Sequence, residues 1–186
     1  MTTAFLLVYR KIFCSYIFTY ENIEILTENF FITTSCYFGE DLVNLADGGY
    51  RCINKLQVDD RIWSLDKDGK TFVEDEMILI MHAESNSSNL FYVFTTINSH
   101  SLSLSGNRNI AVFNVKLNKT IYIRASKVTI EHQLIMPSGI VAIQIIRILS
   151  RMGFYSALIV IGNLLVNNIL TLVNVDSYRA IPETLH

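Results

Sequence analysis

Short runs of apolar, β-branched and aromatic residues, many of them closed by a turn-forming cluster, recur along this chain from about residue 42 to residue 173. The runs are LVNLA, YRCIN, RIWSL, EMILIMH, LFYVFTTI, HSLSLS, IAVFNV, TIYIRA, HQLIM, VAIQIIRIL, YSALIVI and LLVNNILTLV. Between them stand Asp47-Gly48-Gly49, Asp66-Lys67-Asp68-Gly69, Ser105-Gly106-Asn107 and Pro137-Ser138-Gly139, residues that adopt tight turns cheaply. About a dozen strands at this spacing predict an all-β fold of sandwich or barrel type. VAIQIIRIL lacks strict alternation and fits a helix too, but its β-branched content favours a strand.

The 186 residues suit one core better than two. A hydrophobic fraction of 51% and a charged fraction of 17% exclude a disordered chain. A net charge of -2 offers no basic patch to neutralise phosphates, so no nucleic acid partner is expected. Neither a Gly-rich phosphate loop, nor a paired-cysteine zinc pattern, nor a Gly-x-Ser-x-Gly elbow occurs, and no metal or cofactor is expected.

Three cysteines, Cys14, Cys36 and Cys52, are an odd number and too few for a disulfide scaffold. Cys52 has alternating neighbours and reads as core. The sequons Asn86-Ser87-Ser88 and Asn118-Lys119-Thr120 matter only if the chain enters the secretory route. The apolar leader AFLLVYRKIFCSYIFTY is split by Arg10 and Lys11 and makes a poor signal peptide. The run from Phe154 to Val175 is uncharged but interrupted by Gly162, Asn163, Asn167 and Asn168. It reads as two buried strands joined at Gly162-Asn163 rather than as a membrane helix.

The stretch CYFGEDLVNLADGGYRCINKLQVDDRIWSLDKDGKTFVEDEMILIMH, Cys36 to His82, resembles the opening of the hedgehog-type Hint domain. The shared order is a leading Cys-aromatic, a strand before a Gly turn, a Leu-x-x-x-Asp-x-Ile segment, a second Gly hairpin, and a strand ending in His. LFYVFTTINSHSLSLSGNRNIAVF, IRASKV and GFYSALIVIGNLLVNNIL resemble later blocks, the last matching at Gly153, Tyr155, Leu158, Gly162, Val166, Asn167 and Leu170. The resemblance implies a two-lobed, pseudo-symmetric β domain over residues 36–176, after a leader of residues 1–35 and before a tail of residues 177–186.

What the resemblance further implies is self-proteolysis. Cys36 would attack the carbonyl of Ser35 in an N-to-S acyl shift, and a second nucleophile would cleave the thioester. A thiol suits this step near neutral pH, and covalent attachment removes the need for an encounter. Family members carry Gly where Ser35 stands, and a degenerate Thr-x-x-His motif reads Ser105-Gly106-Asn107-Arg108 here. Ser105 keeps the hydroxyl. Arg108 replaces the expected histidine, and a guanidinium is too weak an acid to exchange a proton at neutral pH. It retains the capacity to stabilise an oxyanion. His82 falls where the family carries the His or Asp proposed to activate the second step, and is the surviving acid/base candidate. His100 and His132 lie outside the motif and read as surface or turn residues. The family's late Cys maps onto Val173, and a Pro and a Thr onto Ala157 and Ile159.

The expected function is therefore autoprocessing at Ser35-Cys36. Its substrate is the chain's own N-terminal segment, and water or a small thiol is the second nucleophile. Sterol transfer is not expected. The alternatives are a catalytically impaired Hint relative acting as a folded β module, and a secreted non-enzymatic β domain. The resemblance favours the secretory route or the extracellular space and leaves membrane association open.

Overall fold

The computed structural model of the chain describes residues 35–66 and 71–173, apart from the side chains of residues 81 and 82. The leader with Cys14, the tail, and most of the expected turn at Asp66-Lys67-Asp68-Gly69 lie outside the described residues. Twelve strands are present among the described residues, joined only by turns and two single-turn 3-10 segments. They are β1 (Tyr37–Phe38), β2 (Leu42–Asn44), β3 (Tyr50–Cys52), β4 (Arg61–Leu65), β5 (Phe72–Thr96) and β6 (Ser101–Ser105). Then follow β7 (Asn109–Asn114), β8 (Lys119–Arg124), β9 (His132–Met136), β10 (Gly139–Ile159), β11 (Asn163–Val166) and β12 (Ile169–Leu172). The all-β expectation holds, VAIQIIRIL is a strand, and no described helix is long and apolar enough to cross a membrane.

The strands form one antiparallel network in the order β3-β2-β11-β12-β7-β9-β10-β1-β6-β5-β4, with β8 on β7 and a further β10–β5 ladder. Two strands are far longer than the sequence runs predict. β5 fuses EMILIMH with LFYVFTTI, and β10 fuses VAIQIIRIL with YSALIVI. The polar stretch between the β5 runs contains no Gly or Pro, so nothing stops it from staying extended once β10 supplies its backbone partners. The ladder runs from Ile143 opposite Thr96 to Ile159 opposite Met77. One of its irregularities falls between Met152 and Phe154, where Gly153 takes a φ of 84°.

The run from Phe154 to Leu172 holds the end of β10 and two further strands, rather than the two expected. Asn167 and Asn168 both have positive φ, 50° and 63°, and so form the hairpin turn between β11 and β12. Asparagine tolerates this region better than most residues, which makes the pair a turn rather than an interruption. Asn167 then serves two neighbours, accepting from the Leu42 amide at 2.8 Å and donating to the Ser101 carbonyl at 2.6 Å. Gly162 has a φ of 95°, and Asn163 ties β11 to β4 by donating to Leu65 O and accepting from Ser64 Oγ through its own carbonyl.

The main core gathers Tyr37, Ile53, Ile62, Phe94, Leu104, Ile110, Leu134 and Leu164, all fully buried. A satellite core holds Leu65, Ala111, Leu165 and Leu170. Ala157, Ile159 and Val173 are buried, so the apolar replacements at these positions serve packing. Both sequon asparagines, Asn86 and Asn118, are exposed.

Asn167 links the β11–β12 turn to β2 and β6 through its side chain, and its backbone conformation strains other residues. Asn167→Gly is expected to cost about 1–3 kcal/mol from the two lost hydrogen bonds. Asn167→Ala should cost about 1–2 kcal/mol more from the left-handed backbone, a difference read directly from urea unfolding midpoints.

Candidate functional site

Cys36 enters the fold one residue before β1, which is inserted between two strands. Tyr37 and Phe38 face Tyr155 and Phe154 of β10, and Tyr37 also faces Leu104 of β6. Gly39 ends the strand where a Cβ would lie 2.3 Å from the Tyr155 ring, so only glycine lets the chain turn there without moving that ring. Cys36 is fully buried.

Ser105, at the end of β6, meets Cys36 twice. The Cys36 amide donates to Ser105 Oγ at 2.7 Å, and the Ser105 amide donates to the Cys36 carbonyl at 3.0 Å. The alternating SLSLS strand explains this, because Leu102 and Leu104 enter the core while Ser103 and Ser105 occupy the opposite face. That second face is covered too, and all four residues are buried.

The turn after Ser105 brings Arg108 back over β1. The Arg108 amide donates to Ser105 O at 2.9 Å, and the amides of Ser126 and Ala125 donate to Gly106 O and Arg108 O from the other side. The guanidinium is 1% exposed and donates from Nη1 to the Ser35 carbonyl oxygen at 2.6 Å. Its central carbon lies 3.9 Å from the centre of the Tyr37 ring. Arg108 Nε, Arg108 Nη2 and Ser35 Oγ are buried without a hydrogen-bond partner. The bond between Ser35 and Cys36 is thus held at both ends, its oxygen by a cation and its nitrogen by a hydroxyl.

Asp41, just ahead of β2, is buried and accepts from the Ser103 amide at 2.8 Å. Burial pushes its carboxyl up from 3.8 to about 6, against the hydrogen bonds from Ser103 and Asn167 and the charge of Arg151. The Tyr37 hydroxyl lies 2.7 Å from Thr171 Oγ1 on β12.

Of the residues expected from sequence, Ser35, Cys36, Ser105 and Arg108 come together. Arg108, expected to lack the acid role of a histidine but to keep an oxyanion role, donates directly to the carbonyl. His82 lies on β5 with its backbone opposite Ser156 of β10, and its side chain lies outside the described residues. Cys52 is a correction: it is half-buried, paired with Leu42 at the end of a three-residue strand, and not core. His100 is half-buried in the turn before β6, its amide donating to Thr96 Oγ1. His132 begins β9, also half-buried, where its Nδ1 accepts from the Thr129 amide. Sequence reasoning missed Asp41, Tyr37 and Thr171. Tyr37 had a weak signal as the aromatic after the cysteine, and Thr171 had none. Among the described residues, no three His, Cys, Asp or Glu side chains converge as a metal ion would require.

The family model of the Hint module matches residues 28–177. No relative was found among curated proteins. Similar solved structures include a DnaB intein from Synechocystis, at 15% identity and a TM-score of 0.63 over 76% of this chain and 99% of that one. The TvoVMA intein matches at 17% identity and a TM-score of 0.62, over 75% and 98% of the two chains. A bacterial intein-like domain from Clostridium thermocellum matches at 11% and 0.62, over 75% and 99%.

The buried Asp41 carboxyl carries a pH signature. Because its folded pKa is raised, the folded state binds the proton more tightly, and stability rises as pH falls from about 6 towards 3.8. The contribution is about 3 kcal/mol at 1.36 kcal/mol per pH unit. Asp41→Asn is expected to flatten the pH dependence of denaturant unfolding across that window and to raise stability at pH 7. An unchanged pH profile in the variant would remove Asp41 as its source.

Proposed function

Since the chain belongs to the Hint family, whose modules generally mediate autoprocessing or protein splicing, we propose that it cleaves itself between Ser35 and Cys36 by an N-to-S acyl shift. The observation that carries this reading is the donation of Arg108 Nη1 to the Ser35 carbonyl at 2.6 Å, beside a cysteine whose amide donates to Ser105. The Cys36 sulfur adds to the Ser35 carbonyl carbon, and the carbonyl oxygen takes up negative charge against the guanidinium. The carbon–nitrogen bond then breaks, leaving a thioester and an amino group on Cys36. The nitrogen gains the proton that the thiol gave up, and Ser105 is the hydroxyl placed at that nitrogen. Water or a small thiol then attacks the thioester carbonyl, releases the leader, and returns the Cys36 thiol.

In this scheme Arg108 is an oxyanion donor. Removing one such donor typically costs about 10²- to 10³-fold in rate. His82 serves the second step. Its backbone faces Ser156, next to Tyr155, and Tyr155 faces Tyr37, so β5 lies two strand spacings from β1, about 10 Å.

A second reading, a Hint relative that stays whole and acts as a folded β module, is favoured by one observation. The group on the carbonyl is a guanidinium, which donates a hydrogen bond but does not release a proton to a leaving nitrogen at neutral pH.

A fusion with a tag ahead of the leader separates the two by intact mass. With thiol present, the wild type is expected to yield two products, Cys36→Ala none, and Arg108→Gln a rate lower by about 10²- to 10³-fold. If the wild type stays whole while Arg108→His cleaves, the impaired reading replaces the first.

The pH profile should follow the same logic. The thiolate is the attacking species, so the first-step rate should rise with pH to a plateau as the thiol ionises. Arg108→His should turn this into a bell, with its falling limb set by loss of the imidazolium proton. His82→Ala should leave the first step intact and let the thioester accumulate, visible as trapping by hydroxylamine without spontaneous release.

A further inference from the structure

Beyond the groups that touch the Ser35–Cys36 bond, we propose that Tyr37 and Thr171 are positioning residues that hold the Arg108 guanidinium on the Ser35 carbonyl, making β12 part of the site. This rests on the cleavage reading above, and assigns a role to a strand that lies far from Cys36 in sequence.

Proton bookkeeping fixes the direction of the contacts. Thr171 has one hydroxyl proton and donates it to the Leu164 carbonyl at 2.9 Å, across the β11–β12 pair. The contact of 2.7 Å between the two hydroxyls must then have Tyr37 as donor and Thr171 Oγ1 as acceptor. A phenol that donates its proton leaves its oxygen and ring richer in electrons. The face of that ring carries the Arg108 guanidinium at 3.9 Å, where a negative quadrupole attracts a cation. The chain of contacts therefore runs from Leu164 O through Thr171 and Tyr37 to Arg108 and ends on Ser35 O.

The demand for this arrangement comes from Arg108 itself. It is 1% exposed, forms no ion pair among the described residues, and leaves Nε and Nη2 without hydrogen bonds. Apart from the single bond to Ser35, the Tyr37 ring is what orients and partly neutralises it. A phenylalanine would fill the same volume but would lose the hydroxyl that pins the ring to β12. Both Tyr37 and Thr171 are fully buried, so no solvent competes for the contacts.

The test compares Tyr37→Phe and Thr171→Val, alone and together, in the full chain with wild-type Arg108 and with Arg108→Gln. Each single variant is expected to slow thiol-induced cleavage by roughly 5- to 30-fold. The pair should do no more than one alone, and neither should matter once Arg108 is Gln. A role in stability alone would slow all backgrounds equally, and that result would overturn the proposal.

A second measurement does not depend on turnover. In the uncleaved Cys36→Ala chain, NMR of labelled arginine should show guanidinium protons of Arg108 shifted upfield by the ring and slow to exchange. Both features should weaken in Tyr37→Phe and Thr171→Val while the β6 amides stay protected. Unchanged Arg108 resonances in both variants would overturn the proposal. If the wild type fails to cleave, the cleavage reading falls, and the resonances alone decide whether Tyr37 and Thr171 hold Arg108.

Discussion

A guanidinium is held almost wholly out of water at the centre of this site, and what surrounds it has to repay that cost. An isolated charge in a protein interior is heavily penalised unless polar groups or opposite charge compensate it. Here no carboxylate is paired with Arg108 among the described residues, and compensation comes from one carbonyl and one aromatic face. Such incomplete neutralisation leaves Arg108 ready to attract negative charge. The atom it contacts is the one that becomes negative if the Cys36 sulfur adds to the Ser35 carbonyl.

The neighbouring strands and turn keep that contact in register. β1 is only two residues long and would not hold its place alone, so β10 and β6 grip it from both sides. The long β5–β10 ladder carries the flanking strands, and its polar middle survives because each extended segment gives the other its backbone partners. Ser105 and Arg108 are offered by one turn, whose carbonyls are held by Ser126 and Ala125. Asp41 and Asn167 tie β2, β6 and the β11–β12 hairpin together.

Much of this was readable from the residues alone, where the signal is local. The alternating SLSLS run announces a strand with a hydroxyl at its end, and the Hint resemblance put Cys36, Ser105 and Arg108 in one neighbourhood. The continuity of β5 through Glu84–Asn89 was hidden, because that stretch is as polar as a loop and only its pairing with β10 keeps it extended. The Asn167-Asn168 turn was hidden within an apolar run whose other asparagine and glycine also carry structure. Arg108 could be assigned an oxyanion role only in kind, because the sequence lists side chains and not directions. Only the returning turn shows that its donors face the carbonyl oxygen. Thr171 is 134 residues from Tyr37, and no local pattern connects the two.

The central claim is that Arg108 polarises the Ser35 carbonyl before any bond breaks. Isotope-edited infrared spectroscopy tests it directly, with carbon-13 placed at the Ser35 carbonyl of the uncleaved Cys36→Ala chain. A charge-assisted hydrogen bond weakens the carbonyl bond, so the labelled band should lie at a distinctly lower frequency than in the same chain carrying Arg108→Gln. Bands at the same frequency in the two proteins would contradict the account.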